Sequence, residues 1–141
     1  MEVIEFRGKH IHILGTNEKL DGKWVYGYLV DRHYINSREL EGEMLVDCET
    51  VGQFTGLYDS KGNKIYKGDI LEITGNHKPG EYIVVWDPFR VAWWGKNIKC
   101  DKRDREYDDD WFQLLGSTFQ EQVRKVIGNV IDNPELLEVE S

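Results

Sequence analysis

Two histidines, His10 and His12, are the first side chains in the chain whose spacing could support chemistry. They alternate within a β-prone stretch, so both would lie on one strand face, where two imidazoles can bind a metal ion. Zinc needs three or four ligands, and the spacing of the other His and Cys residues supplies no third one. We therefore interpret His10 and His12 as exposed strand histidines and predict neither a metal site nor a cofactor.

Acidic side chains are plentiful enough to suggest a metal-dependent nuclease, because such enzymes hold divalent cations with carboxylates. Asp69 and Asp87 lie at the ends of predicted strands, however, where Asp commonly stabilises turns. The acidic run at 108–110 is typical of a solvated loop. The stretch from Asp59 is not a calcium loop, because Lys61 stands at a ligand position. With no nucleophile elbow and no phosphate-binding glycine loop in the sequence, we predict a protein that is not an enzyme.

Basic residues interleaved with aromatic residues suggest a different chemistry, the binding of single-stranded nucleic acid by charge and stacking. Acidic residues in the same segment largely cancel its charge, and the chain as a whole carries a net charge of −8. That charge is unfavourable for binding to phosphate backbones, so nucleic-acid association is our second hypothesis. The basic residues are Lys96, Lys99, Lys102, Arg103 and Arg105, close in sequence to Trp93, Trp94 and Tyr107.

Aromatic residues are the third chemical feature, with five Trp, seven Tyr and five Phe in the chain. Trp24 and Tyr26 alternate onto one face of a predicted strand, whereas the adjacent Trp93 and Trp94 must face opposite ways. Large aromatic side chains on a surface are typical of interaction hot spots. We expect a homo-oligomer with at least one of these four residues at its contact. Burial of both Trp93 and Trp94 within one chain is the alternative.

The elements that would position these residues are mostly strands, which predicts a mainly β fold, with α+β as the alternative. A capping box at 117–120 predicts a short helix to about residue 125, and Asn133-Pro134-Glu135 predicts a final short helix. The charged segment 96–110 is expected to be a long loop, and 36–43 a loop or a single helical turn. The predicted strands lie within 3–14, at 24–30, 33–35 and 44–51, and then at 68–73, 82–86, 91–94, 111–115 and 126–131.

The stretch from Thr55 to Ile73 organises this pattern as turn, short strand, turn and strand. Asp59 to Asn63 is rich in residues that favour chain reversal. A second turn at Gly68 and Asp69 leads into the next strand, and Gly128 precedes the end of the last one. We predict structural roles for Gly68 and Gly128, because tight turns and close backbone contacts favour glycine.

Two blocks of residues carry a family resemblance. They are Thr55-Gly56-Leu57-x-Asp59, Gly62 and Ile65-Tyr66-x-Gly68-Asp69-Ile70 in the first block, and Val126-Ile127-Gly128-Asn129-Val130 in the second. With Phe6-Arg7-Gly8-Lys9 and Trp24-Val25-Tyr26-Gly27-Tyr28, they closely resemble the YopX family of small phage and prophage proteins over nearly the whole chain. The resemblance implies an oligomeric mobile-element protein with an SH3-like β portion, and it carries over no catalytic residue. Its motif residues here are Thr55, Gly56, Asp59, Gly62, Gly68, Asp69, Gly128 and Asn129.

Length and composition agree with one YopX-like domain over 1–141, in which an N-terminal β-rich lobe (1–53) precedes a small SH3-like barrel (54–141) with a short C-terminal helix. The sequence has no apolar run near the roughly 20 residues that span a bilayer. Residues 1–7 also lack the features of a signal peptide. We expect a protein of the bacterial cytoplasm, with no membrane contact and with Cys48 and Cys100 as reduced thiols. One disulfide is the alternative for an exported chain.

Our first hypothesis is a non-enzymatic, oligomerising interaction module of phage origin, with a phage or host protein as a further partner. The alternative is a nucleic-acid-associated protein of phage replication or regulation. Only the identity of the partner separates these two hypotheses.

Overall fold

The computed structural model of the chain describes residues 4–11, 22–74, 79–89, 91–98, 111–113 and 123–137. The chain divides into two compact units, residues 1–56 and residues 57–141. Within the described residues, the secondary structure consists of eleven strands in two antiparallel sheets and two short 3-10 helices. The predicted mainly β fold is therefore confirmed.

The first sheet has six strands in the order β4-β3-β2-β1-β5-β6. Strand β2 pairs with β1 on one side, where Arg7 faces Tyr26, and with β3 on the other, where Tyr28 faces Asn36. This double pairing holds β2 along most of its length. The strands are β1 (Phe6–Lys9), β2 (Trp24–Asp31), β3 (Tyr34–Ser37), β4 (Gly42–Leu45), β5 (Gly52–Tyr58) and β6 (Lys64–Tyr66).

The second sheet has five strands in the order β10-β9-β8-β7-β11. Strands β7, β8 and β9 form an antiparallel meander in the middle of the sheet. The last strand in sequence, β11, returns to pair with the first, β7. Across the described strands this sheet is open, and the SH3-like barrel remains a prediction. The strands are β7 (Asp69–Thr74), β8 (Gly80–Asp87), β9 (Ala92–Asn97), β10 (Trp111–Gln113) and β11 (Val123–Asn129).

Each unit has its own hydrophobic core, since burial of apolar side chains is the main driving force for folding. In residues 1–56 the core is small and centres on Val25, Ile35 and Val46. In residues 57–141 it is larger, and Trp93 packs against its edge. The fully buried members of this second core are Ile65, Leu71, Ile73, Tyr82 and Val84.

Several local predictions are wrong where pairing or capping overrides the local pattern. Segment 36–43 was predicted as a loop or a helical turn, but only 38–41 form a turn, because β3 continues to Ser37 and β4 begins at Gly42. The predicted strand 44–51 ends at Leu45, and the 3-10 helix Cys48–Thr50 follows, with Asp47 as its cap. Thr55 begins no turn, since it lies inside β5.

The helix predicted from the capping box is also wrong in its described part, because residues 123–125 belong to β11 and pair with β7. The capping box itself lies outside the described residues, as do His12, Cys100 and most of the charged segment 96–110. The final short helix is present as the 3-10 helix Pro134–Leu137. Among the described helices, none has the length and apolar composition needed to cross a bilayer.

Candidate interaction surfaces

Asp59 organises the turn between β5 and β6. Its Oδ1 accepts hydrogen bonds from the backbone N–H groups of Lys61 (2.9 Å) and Asn63 (2.8 Å). Its Oδ2 accepts from the Asn63 amide (3.1 Å) and from the Val126 N–H in β11 (3.1 Å). The carboxylate thereby joins a local turn to a strand 67 residues further along the chain.

The electrostatics of Asp59 follow from this arrangement. Burial raises the pKa of the Asp59 carboxyl, but the hydrogen bonds from Asn63, Val126 and Lys61 outweigh burial and lower it below its ordinary value of 3.8. Next to it, Ser60 exchanges hydrogen bonds with the backbone of Arg124, in each direction at 2.8 Å. The Arg124 side chain is buried, and its burial lowers the pKa of the guanidinium to about 10. Asp59 and Ser60 therefore tie the turn between β5 and β6 to the backbone of β11.

Gly68 and Asp69 form the turn between β6 and β7. The buried Asp69 carboxylate accepts a hydrogen bond from the Tyr66 N–H at 2.7 Å. Gly68 has a φ of +89°, a conformation that L residues with a Cβ adopt only at a cost. Its N–H donates to Val84 and its carbonyl accepts from Val130, both at 2.9 Å. The turn is thus tied to β8 and to the segment after β11.

Gly128 and Asn129 belong to a third polar turn, at the end of β11. The Asn129 side chain accepts from the N–H groups of Ile131 (3.0 Å) and Asp132 (2.8 Å). Asn133 packs so close to Gly128 that a Cβ there would lie 2.5 Å from Asn133 Oδ1. Asp59, Gly68 and Asp69 therefore lie in turns of residues 57–141, and Gly128 and Asn129 lie at the end of β11, where its turn begins.

The remaining motif residues lie in or beside β5. Thr55 is half-buried in the strand, Gly56 is exposed in it, and Gly62 donates its N–H to the Asp59 carbonyl at 3.0 Å. The structure thus gathers Asp59 and Gly62 in one turn and leaves Thr55 and Gly56 outside it. None of these contacts resembles a catalytic constellation, and the structural role of the motif remains a prediction.

Trp24, one of the predicted interface residues, lies under two cations. The Arg7 guanidinium carbon is 4.5 Å and the Lys9 ammonium nitrogen 4.7 Å from the centre of its ring. The Lys9 ammonium group also donates to the Gly22 carbonyl at 2.9 Å. Trp24 is half-buried, so much of its ring is covered within its own chain.

Tyr26 lies on the same strand face and lines an open cleft of about 430 Å³. Tyr28 stands two residues along β2, and these two tyrosines are 39% and 58% exposed. The polar side chains of the cleft bring two carboxylates and one guanidinium to it. The complete lining is Ile4, Glu5, Tyr26, Gly27, Tyr28, Asn36, Arg38 and Glu39.

The hairpin between β8 and β9 carries the other aromatic surface. Trp93 faces Trp86 and Trp94 faces Val85, so the two adjacent tryptophans lie on opposite faces, and both are half-buried. The Trp86 and Trp93 rings meet edge to face, with centroids 5.1 Å apart. Trp86 is 42% exposed, and Phe89 beyond it is 95% exposed. We call Trp86, Phe89 and Val91 the hairpin patch.

Sequence reasoning missed Trp86 and Phe89, and it missed Arg38 and Glu39 of the cleft. Trp86 ends the predicted strand 82–86, and Phe89 follows a turn-forming proline. The signal that could have identified Phe89 is its place directly after the Asp87-Pro88 turn, because such turns lie at the exposed ends of hairpins. No comparable pattern identifies Arg38 and Glu39, which lie in a charged turn.

His10 is not the exposed strand histidine that we predicted, since it is only 6% exposed. Its Nδ1 donates to the Leu45 carbonyl at 2.9 Å, and the residue bridges to Val46. Among the described residues, no group of three or more His, Cys, Asp or Glu side chains could hold a metal ion. Of the two cysteines, Cys48 is described and is a free thiol.

Comparison with known proteins gives one result for nearly the full length of the chain. A family model described as YopX protein matches residues 8–138. A search of curated proteins gives no match. The matched range contains both motif blocks, the cleft residues from β2 and β3, and the hairpin patch.

Proposed function

We propose that this chain, which belongs to the YopX family, is a non-enzymatic interaction module that forms homo-oligomers. Membership in the family suggests a phage-type protein. On that basis we propose that it acts in the cytoplasm of a bacterial host, with a phage or host protein as a further partner.

The hairpin patch is the observation that carries this proposal. Phe89 exposes nearly all of its side chain at a hairpin tip, and Val91 and Trp86 add exposed apolar surface to it. Phe89 is held there because its N–H donates to the Asp87 carboxylate at 2.9 Å. Exposed aromatic side chains of this kind are typical of protein contacts, whose binding energy aromatic residues dominate.

The chemistry of the buried titratable groups supports a role other than catalysis. A general base works best with a pKa near the working pH, whereas hydrogen bonding lowers the pKa of Asp59. Four donors already occupy the Asp59 oxygens. The group is therefore better suited to stabilising the fold than to moving protons.

We also propose that residues 54–141 form a small SH3-like barrel. The support is the antiparallel meander of β7, β8 and β9, with the last strand returning to the first. Closure would require further pairing at the outer strands β10 and β11, and hydrogen exchange of their outward N–H groups would test it. Rapid exchange along both strands would contradict a closed barrel.

Light scattering and sedimentation across micromolar concentrations test self-association. We expect a particle mass above the 16.5 kDa of one chain. Phe89→Ala should weaken association by about tenfold or more, because hot-spot truncations cost roughly 2 kcal/mol. Tyr58→Ala is the matched control, since Tyr58 is an exposed aromatic residue outside the hairpin patch. A mass of one chain at every concentration would contradict the proposal.

Single alanine substitutions at Trp24, Tyr26, Trp93 and Trp94 extend the experiment to the interface residues predicted from sequence. Trp93 contacts Trp86, so its substitution should weaken association through the hairpin patch. Trp24 is covered by Arg7 and Lys9, so its substitution should affect stability more than mass. If Phe89→Ala leaves the mass unchanged and one of these four variants lowers it, the contact lies elsewhere.

A further inference from the structure

We infer that the tyrosine cleft of residues 1–56 binds an arginine or lysine side chain on an extended segment of a different, basic protein. The cleft and the hairpin patch share no residue. Binding at the cleft therefore adds a second activity to the proposed self-association.

The cleft is held in shape before any ligand arrives. Tyr26 and Tyr28 stand on β2, which pairs with β1 through Tyr26 and with β3 through Tyr28. Each tyrosine is thus anchored by one neighbouring strand, so the backbone of the site loses little conformational freedom on binding, which favours affinity. Its volume of about 430 Å³ is within the range of specific binding sites, which is roughly 300–1,000 Å³.

The side chains of the cleft favour a cation. Tyrosine rings attract ammonium and guanidinium groups through their negative faces. Two carboxylates, Glu5 and Glu39, line the cleft together with one guanidinium, Arg38. The aromatic and acidic side chains of the lining therefore favour a cation, and the guanidinium of Arg38 opposes them. Arg7, the cross-strand partner of Tyr26, already lies against the Trp24 ring.

The charge of the whole chain indicates which partner supplies that cation. A net charge of −8 attracts a basic protein and repels a phosphate backbone. The spacing of the tyrosines indicates the form of the ligand. Residues two apart on a strand are about 7 Å apart, which is also the spacing of alternate side chains in an extended peptide.

Fluorescence anisotropy with a dye-labelled peptide of four Arg-Pro repeats tests the inference, because alternating proline keeps the peptide extended. Wild-type protein should bind this peptide and should bind neither the Glu-Pro counterpart nor a 15-residue thymidine oligonucleotide. Glu39→Gln should weaken binding about two- to fivefold, and Arg38→Gln should strengthen it by a similar factor. Tyr28→Ala should weaken binding about two- to fivefold.

Two matched variants separate the cleft from the general charge of the protein. Glu49→Gln and Arg32→Gln change the net charge by the same amounts at exposed positions outside the cleft lining, so both should leave the affinity unchanged. Equal effects of Glu39→Gln and Glu49→Gln would overturn the inference. Tighter oligonucleotide binding by Glu39→Gln would overturn it in favour of a nucleic acid. A lower particle mass for Tyr28→Ala would overturn it in favour of a second copy.

Discussion

The two units differ in how many donors the turn side chain with the most hydrogen bonds holds. In residues 1–56, turn side chains such as Asp31 and Ser37 accept a hydrogen bond from the backbone of a following residue, His33 and Leu40 respectively. In residues 57–141, Asp59 accepts from four donors, one of them in a distant strand. Six of the eight motif residues lie in residues 57–141, in or beside turns: Asp59, Gly62, Gly68, Asp69, Gly128 and Asn129. The cleft lies in the other unit, and Tyr26, Gly27 and Tyr28 of its lining belong to a segment that also fits the family resemblance.

Asp59→Ala should have the largest effect of any substitution that we predict. It removes the acceptor of four partly buried hydrogen bonds, so the free energy of unfolding should fall by about 2–4 kcal/mol. Urea denaturation followed by tryptophan fluorescence measures the loss. Asp31→Ala is the control, because it removes one exposed bond and should cost about 0.5–1 kcal/mol. Equal losses for the two variants would remove the difference between the units.

The pH dependence of the unfolding free energy, compared between wild type and Asp59→Asn, tests the role of the charged carboxylate in this turn. The folded state lowers the pKa of Asp59, so its stabilisation is complete above the unfolded value of 3.8 and is lost as the pH falls through the folded pKa. Asparagine does not titrate, and its amide would face the donors of Val126 or Asn63. The difference in unfolding free energy between wild type and Asp59→Asn should therefore shrink below about pH 4. A difference that stays constant down to pH 2 would contradict the role of the carboxylate.

Gly128→Ala should have the next largest effect, about 1–3 kcal/mol of destabilisation. The added Cβ would lie 2.5 Å from Asn133 Oδ1 and 2.8 Å from Asn133 Cγ. Adding Asn133→Gly should relieve this clash, so a double-mutant cycle should show coupling of about 0.5–3 kcal/mol. Additive losses in the cycle would show that Asn133 is not the source of the cost.

Gly68→Ala should cost about 1–2 kcal/mol, because alanine must adopt the positive φ of the turn. Steric contact adds little, since the nearest atom to the added Cβ is Val130 Cγ2 at 3.5 Å. Gly68→Asn should cost less than Gly68→Ala, because asparagine tolerates this conformation better. Gly42→Ala in the other unit is the control and should change stability by under about 0.5 kcal/mol. Melting temperatures that do not change for Gly68→Ala would contradict the assignment.

Tyr28→Ala and Phe89→Ala should have the smallest effects on stability, within about 0.5 kcal/mol, because both side chains are largely exposed. Their effects should instead be seen in peptide binding and in particle mass. A loss of stability above 1 kcal/mol for either variant would mean that the side chain supports the fold rather than a contact.

The sequence predicted what depends on neighbouring residues and failed where distant strands decide the structure. Asp59 to Asn63 was expected to reverse the chain, and it does so through bonds spanning two to four residues. Its bond to Val126 spans 67 residues, and no local pattern contains that information. The helix expected up to residue 125 failed for the same reason, because pairing of β11 with β7 overrides the local capping signal.

The cleft was less predictable than the strands around it. Alternation placed Trp24, Tyr26 and Tyr28 on one strand face, and Tyr26 and Tyr28 share the cleft. Arg38 and Glu39 reach the cleft only because the hairpin of β3 and β4 brings their turn beside β2. Segment 36–43, which we predicted to be a loop or a single helical turn, therefore supplies two of the three charged side chains of the cleft.

The position of β11 at the end of the sheet order has a consequence for synthesis on the ribosome. Strand β7 ends at residue 74 and its partner β11 begins at residue 123. At roughly 5–20 residues per second, about 2 to 10 seconds separate the emergence of the two strands. For that interval the β7 edge is open and the Asp59 carboxylate lacks Val126. Nascent chains on neighbouring ribosomes could pair at this edge, so rapid elongation through this interval would protect the protein from aggregation.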